Sequence, residues 1–127
     1  SIEIVRPKGF QTSRRLDVIA TLPLEKYLLD VVASEVPSKW PLETLKSQAV
    51  AARTYALVTQ KERYGKDYDI DSTTQAQVFQ YLQHKRVEGT RNIIRAVERT
   101  RDQVLTAPSG HLLKTYFHAH CGGETED

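Results

Sequence analysis

Apolar side chains recur every three or four positions in three parts of the chain, and this spacing predicts three α-helices. We predict them at residues 24–34, 42–64 and 90–100. The second is the longest, and alanines on its apolar face would let neighbouring helices approach closely. It is therefore predicted to be the central helix of the core. The apolar positions of this face are Leu42, Leu45, Ala49, Ala52 and Ala56.

Short runs rich in β-branched residues predict a small amount of β structure. Residues 1–5 and 16–21 have this composition, and we expect them to pair across a long polar loop. Residues 103–107 and 111–119 flank a Pro-Ser-Gly turn and predict a second hairpin. The predicted fold is therefore α+β, a single domain with a helical core of about three helices and a small antiparallel β-sheet or hairpins.

The composition fits one compact domain of 127 residues, with 39% hydrophobic and 27% charged residues. The net charge of +2 is compatible with an anionic polymer as partner, such as a cell-wall glycan, and equally with a mixed solvated surface. It gives no reason to expect nucleic acid. One cysteine excludes an internal disulfide, and no apolar run is long enough to span a membrane. The sequence patterns of dinucleotide, P-loop, zincin and α/β-hydrolase sites are absent.

A proline-bracketed corner, SEVPSKWP at residues 34–41, joins the first two predicted helices. It carries one carboxylate, Glu35, beside Val36, Pro37 and Trp40. A carboxyl group in partly apolar surroundings holds its proton nearer to neutral pH, which is what a general acid for glycosidic cleavage needs. A solvated glutamate at a helix end is the commoner case, and spacing alone leaves both interpretations open.

Two other groups of residues offer alternative chemistry. Asp69 and Asp71 are available as the second carboxylate of an ordinary glycosidase pair, although both also fit solvated or turn-forming aspartates. His118, His120 and Cys121 are residue types that bind zinc, but no second cluster completes a tetrahedral site. A nucleophilic pair of Cys121 with a histidine is also conceivable, and it needs a third orienting group.

The two predicted helices and their corner closely resemble the signature of a known family. Residues 22–57, LPLEKYLLDVVASEVPSKWPLETLKSQAVAARTYAL, are similar to the signature of the SpoIID/LytB family, named for stage II sporulation protein D. Three further stretches agree in order and spacing with the family's threonine-rich segment, its helix-to-strand passage and its His and Gly-Gly loop. They are DSTTQAQVF at 71–79, AVERTRDQVLT at 96–106 and YFHAHCGGET at 116–125.

The resemblance implies a peptidoglycan enzyme. Catalytic members of this family are lytic transglycosylases that act on glycan strands without stem peptides. They cleave between N-acetylmuramic acid and N-acetylglucosamine and leave a 1,6-anhydro end. The family's catalytic glutamate falls on Glu35. The resemblance also implies an extracytoplasmic location, periplasmic, in the cell wall or secreted, and no cofactor.

The resemblance also implies a role in substrate binding for ten further positions. They would orient the site, bind sugar hydroxyl or acetamide groups, or line the cleft. They are Arg53 and Tyr55 in the AARTYA run, Ser72, Thr73, Thr74 and Gln77 in the threonine-rich segment, and His118, Gly122, Gly123 and Thr125 in the terminal loop.

The sequence departs from the family pattern in two places. Some members bind zinc through cysteines and a histidine in the threonine-rich segment, where this chain has Asp71, Gln75 and Ala76, so we expect no metal. Family domains usually continue past the Gly-Gly loop, so we expect a catalytic domain over residues 1–127 whose C-terminal remainder is either absent from this sequence or shortened in this protein. Two rival functions stay open, a muramidase-type hydrolase and a non-catalytic glycan-binding activator of a cell-wall amidase.

Overall fold

The computed structural model describes residues 2–5, 17–70 and 90–116, and most of them are helical. The three predicted helices are confirmed, and each ends within two residues of the predicted position. The elements of the described part are β1 (Ile2–Val5), β2 (Asp17–Ala20), α1 (Leu24–Glu35), α2 (Leu42–Glu62) and α3 (Thr90–Arg99).

The first predicted hairpin is confirmed as a two-stranded sheet. β1 and β2 pair antiparallel, with Ile2 opposite Ala20 and Val5 opposite Asp17. Three residues, 21–23, connect β2 to α1.

The second predicted hairpin is much shorter than expected. Within residues 103–116, one isolated bridge pairs Thr106 with Leu112, beside a turn at Gly110, whose φ is 85°. The two arms share two backbone bonds, from the Leu113 N–H to the Leu105 carbonyl at 3.0 Å and from the Ala107 N–H to the His111 carbonyl at 2.8 Å. Both arms also bond to α2: the Leu105 N–H donates to Thr54 Oγ1 at 3.0 Å, and Thr115 Oγ1 donates to the Ala51 carbonyl at 2.7 Å. Because the Leu105 N–H bonds to α2, it does not pair with the opposite arm, and the hairpin does not extend into two regular strands.

Prolines set the boundaries of the first two helices. Pro23 and Pro41 are the N-cap residues of α1 and α2, where a missing N–H costs nothing. At the other end of α1, Val36 is extended, with φ −134° and ψ 144°. The residue before a proline is driven out of the helical region, so Pro37 ends α1 at Glu35.

The core lies where α1 and α3 pack against α2. Small alanines on α2 let the two neighbours come close, as predicted, and larger side chains from α1 and α3 fill the space between them. Each fully buried leucine or valine contributes on the order of 1.5–3 kcal/mol. The core side chains are Leu28, Val31 and Val32 from α1, Leu45, Ala49 and Ala52 from α2, and Ile93, Ala96 and Val97 from α3.

Among the described helices, none is both long enough and apolar enough to cross a membrane.

Candidate active site

Glu35 is the last residue of α1 and continues its buried face. Positions 24, 28, 31 and 35 follow the helical spacing of four, three and four residues, and the first three are Leu24, Leu28 and Val31. Leu28 and Val31 are fully buried, and Leu24 packs against the core beside them. Glu35 is half-buried at the open end of this stripe. A carboxyl group therefore stands where the apolar interior of the hairpin meets solvent.

The corner after Glu35 combines inward and outward apolar side chains. Val36 and Leu42 pack against the core, while Trp40 is 48% exposed. The Trp40 N–H donates to the Pro37 carbonyl at 3.0 Å and closes a tight turn. Glu35 thus lies beside a compact, partly apolar surface that a ligand can reach, which is the setting in which a carboxyl group can exchange a proton with a substrate.

Arg53 has a different position from the one expected of a sugar-binding residue. Its side chain is buried, with 1% exposure, and its five N–H donors are all used. Nε and Nη2 form a forked pair of 2.8 Å bonds to the Glu25 carboxylate. The remaining bonds go to the Gln103 carbonyl (3.2 Å), the Val97 carbonyl (3.3 Å) and Thr100 Oγ1 (3.4 Å).

These contacts correct the role predicted for Arg53, because its guanidinium has no donor left for a sugar. Glu25 stands ten residues before Glu35 on α1, which corresponds to about 15 Å along the helix. The structure therefore does not bring Arg53 and Glu35 together. Arg53 instead joins the start of α1, the middle of α2 and the end of α3.

Tyr55 is half-buried on α2 and packs edge-to-face against Tyr116, with ring centroids 6.3 Å apart and an interplanar angle of 68°. The Tyr116 ring is 78% exposed. Tyr55 stands 13 residues after the first residue of α2, about 20 Å along the helix from the corner. Tyr55 and Glu35 are therefore too far apart to contact the same sugar.

Eight predicted substrate-binding positions lie outside the described residues and stay predictions, and so do Asp71, His120 and Cys121. Within residues 2–5, 17–70 and 90–116, no three His, Cys, Asp or Glu side chains are grouped so that they could hold a metal ion. The eight positions are Ser72, Thr73, Thr74, Gln77, His118, Gly122, Gly123 and Thr125.

Asp69 lies too far from Glu35 to form a catalytic pair with it. Asp69 is exposed and accepts a 2.9 Å hydrogen bond from Gln60 Nε2, near the C-terminal end of α2. Gln60 is 18 residues after Leu42, or about 27 Å along the helix from the corner. The carboxyl pairs of glycosidases are separated by only about 5–9.5 Å. Of the two aspartates considered as partners, Asp69 is excluded by geometry.

An open cleft of about 310 Å³ lies between α2 and the segment that follows α3, and Glu35 is not among the residues that line it. Glu43, Val50 and Leu105 are among the residues at its wall. It is shallow and mixed in polarity, whereas the corner joins a carboxyl group to an exposed aromatic ring. The corner is therefore the better candidate site on chemical grounds.

The chain is similar to a known protein family and to several known proteins. The family model SpoIID, described as stage II sporulation protein, matches residues 12–106. The chain is 37% identical over 110 residues to an uncharacterised protein of Brachyspira hyodysenteriae. It is 31% identical over 120 residues to stage II sporulation protein D of Bacillus subtilis, and 34% identical over 99 residues to the amidase enhancer of the same organism. No solved structure is significantly similar to the chain.

These alignments cover most of this chain and a small part of each relative. They include 86%, 86% and 78% of this chain, but only 28%, 35% and 12% of the respective relatives. The matched segment contains α1, the corner with Glu35, and α2.

Proposed function

The chain belongs to the SpoIID family, and from that premise we propose that it acts on the bacterial cell wall as a peptidoglycan lytic transglycosylase. Its substrate would be the glycan strand, cut between N-acetylmuramic acid and N-acetylglucosamine, and strands without stem peptides would be preferred. Such a substrate implies an extracytoplasmic location. The observation that carries the proposal is the place of Glu35, half-buried at the end of an apolar stripe, on a corner that also carries the exposed Trp40.

Glu35 would serve as acid and then as base in one reaction. The protonated carboxyl group gives its proton to the glycosidic oxygen as the bond from that oxygen to C1 of the muramic acid breaks. The resulting carboxylate takes the proton of the same sugar's C6 hydroxyl, whose oxygen bonds to C1. Glu35 is protonated again at the end, and the strand carries a 1,6-anhydro end. No water is consumed.

The distance to Asp69 supports this mechanism over hydrolysis by a pair of Glu35 and Asp69. A retaining or inverting glycosidase needs its second carboxyl group within about 10 Å of the first. Asp69 bonds to the far end of α2, on the order of 20 Å or more from the corner. A mechanism in which one carboxyl group both gives and takes a proton needs no partner there.

Mass analysis of the cleaved strands tests the proposal. Purified glycan strands, freed of stem peptides with an amidase, are incubated with the wild-type chain and with Glu35→Gln. We expect fragments whose new ends are lighter by one water molecule than ordinary reducing ends, and no fragments from the variant. Reducing ends would indicate a muramidase, and intact strands would exclude cleavage.

A second candidate function is the activation of a cell-wall amidase. It is favoured by the 34% identity to a protein named amidase enhancer. In that case the corner would bind glycan without cutting it. Amidase release of stem peptides from whole cell wall would then rise equally with the wild-type chain and with Glu35→Gln. A rise that depends on Glu35 supports the transglycosylase instead.

A further inference from the structure

Trp40 is a half-exposed aromatic side chain on the same corner as Glu35, and we propose that it is a stacking platform for a sugar ring of the bound glycan strand. The inference rests on the proposed function, because it names a further contact with the same substrate. Trp40 leaves 48% of its surface exposed, while Val36 and Leu42 on either side of it pack against the core. The corner thus turns its largest aromatic ring towards solvent.

The backbone of Trp40 is held on both sides. Its N–H donates to the Pro37 carbonyl at 3.0 Å, and the next residue is Pro41, the N-cap of α2, with φ −51° and ψ 143°. A residue before proline is confined to extended conformations. Because the backbone is already fixed, binding a ligand on the ring loses little conformational entropy.

The chemistry of the ring fits a saccharide. An indole offers a broad apolar face and one N–H donor, and such a side chain is enriched where one side of a ligand is apolar and the other is hydrated. A pyranose ring has this character, since C–H groups cover one face and hydroxyl groups surround its edge. Pro37 and Pro41 are also exposed and extend the apolar surface around Trp40. The corner therefore suits a chain of sugar rings better than it suits a small ion.

Trp40 lies within reach of the strand that Glu35 would cut. The first and last Cα atoms of a tight turn, here Pro37 and Trp40, are less than about 7 Å apart, and two further residues lead back to Glu35. The two Cα atoms are thus separated by at most about 14 Å. A single bound strand can contact both side chains through neighbouring sugars.

Tyr64 provides a matched control for Trp40. It is an aromatic residue with 92% exposure, but it follows the opposite end of α2, which is 21 residues or about 31 Å long. It has the exposure of a stacking residue without the position near Glu35.

The fluorescence of the ring itself tests the proposal, since Trp40 is the one tryptophan among the 127 residues. Glu35→Gln protein is titrated with soluble glycan strands that lack stem peptides, so that the strands stay intact. We expect the emission maximum to shift to shorter wavelength with a saturating dependence on strand concentration. If co-sedimentation shows binding while the emission is unchanged, the proposal is overturned.

Variants of the same protein measure the contribution of the ring to affinity. In the Glu35→Gln background, Trp40→Ala should raise the Kd for the strands at least tenfold. The Kd of Trp40→Phe should lie between those of the parent and of Trp40→Ala, and the Kd of Tyr64→Ala should stay within twofold of the parent. Circular dichroism confirms that each variant is folded. A Kd for Trp40→Ala within twofold of its parent overturns the proposal, and so does a spectral shift produced by a cell-wall amidase but not by the strands.

The outcome separates this proposal from the proposed function. A spectral shift with strands that the wild-type chain never cleaves would refute the transglycosylase and leave the stacking contact standing. Cleavage by the wild-type chain, with binding indifferent to Trp40, would refute the stacking contact alone.

Discussion

The two ends of the hairpin formed by α1 and α2 are built in opposite ways. At one end Arg53 is 1% exposed, and all five of its donors bond to Glu25, Val97, Thr100 and Gln103. At the other end Glu35 is half-buried, and Trp40, five residues later on the same corner, is 48% exposed. One end has its polar groups satisfied by the protein, and the other presents chemical groups to solvent.

This difference separates the part that holds the fold from the part that is available to a ligand. Any shift between α1 and α2 would leave the buried guanidinium and the Glu25 carboxylate unpaired, and unpaired buried charge costs several kcal/mol. We therefore interpret the Arg53 end as the region that keeps the hairpin in register. A fixed hairpin in turn holds Glu35 and Trp40 in constant positions, as a site for a rigid polymer requires.

The largest expected effect is on the activity of the corner that carries Glu35. Glu35→Gln should lower the rate of glycan cleavage by about 10²–10⁴-fold, the range for loss of a general acid or base. The melting temperature should change little, because the amide has the same shape and the site is half-exposed. Cleavage is measured by the release of soluble fragments. Glu43→Gln, at a glutamate that is 77% exposed, is the matched control and should keep full activity. More than a tenth of the wild-type rate in Glu35→Gln would contradict the assignment.

The next largest effect is on the stability of the Arg53 end. Arg53→Met should lower the free energy of unfolding by about 3 kcal/mol, since it leaves the Glu25 carboxylate without its partner. This loss is at the low end of the range for breaking a buried ion pair, because the Glu25 side chain keeps 25% exposure. Urea unfolding followed by circular dichroism gives the value. Arg95→Met, on the exposed face of α3, should change stability by less than about 0.5 kcal/mol. Equal effects of the two variants would refute the structural role of Arg53.

A smaller effect is expected where α2 holds the loop after α3. Thr54→Val removes the acceptor of the Leu105 N–H bond and should cost about 1 kcal/mol in urea unfolding. Thr59→Val, on the same helix, is the control. Thr59 Oγ1 is buried and has no hydrogen-bond partner in the part of the chain that the structure describes, so its replacement should leave stability unchanged or raise it. A larger loss of stability in Thr59→Val than in Thr54→Val would contradict these contacts.

The smallest effect is expected from the surface pair of Lys114 and Glu62. The hydrogen bond that Lys114 Nζ donates to the Glu62 carboxylate raises the pKa of Lys114 above its usual 10.5. The pair therefore stabilises the fold below the unfolded pKa, and this contribution is lost as pH rises through the higher folded pKa. Because the pair is solvent-exposed, Lys114→Ala should cost no more than about 0.5 kcal/mol in urea unfolding at neutral pH. Lys26→Ala, at an exposed lysine on α1, is the control. A cost above about 1 kcal/mol would contradict this estimate.

Local signals in the sequence predicted the helices well. Pro37 and Pro41 act on their immediate neighbours, so the ends of α1 and the start of α2 could be placed within a residue. The helical spacing of positions 24, 28, 31 and 35 also indicates that Glu35 lies on the buried face of α1. This signal is missed when Glu35 is considered only as the residue that ends the helix.

Contacts between distant residues could not be predicted in the same way. The hydrogen-bond partners of Arg53 include Glu25, 28 positions earlier, and Thr100, 47 positions later. The short second hairpin has the same origin, because the Leu105 N–H bonds to Thr54, 51 positions earlier. The exposure of Trp40 likewise depends on which corner side chains the assembled core takes in. These features are set by tertiary packing, which spacing along the chain does not encode.

Cleavage in water enriched in the heavy oxygen isotope tests the central claim most directly, because the proposed reaction at Glu35 uses the sugar's own C6 hydroxyl and no water. Mass spectrometry of the new strand ends should show 1,6-anhydro ends without the heavy isotope, and Glu35→Gln should yield none. New reducing ends that each carry one heavy oxygen would show that water attacks, and they would contradict the account of Glu35 as a single acid and base.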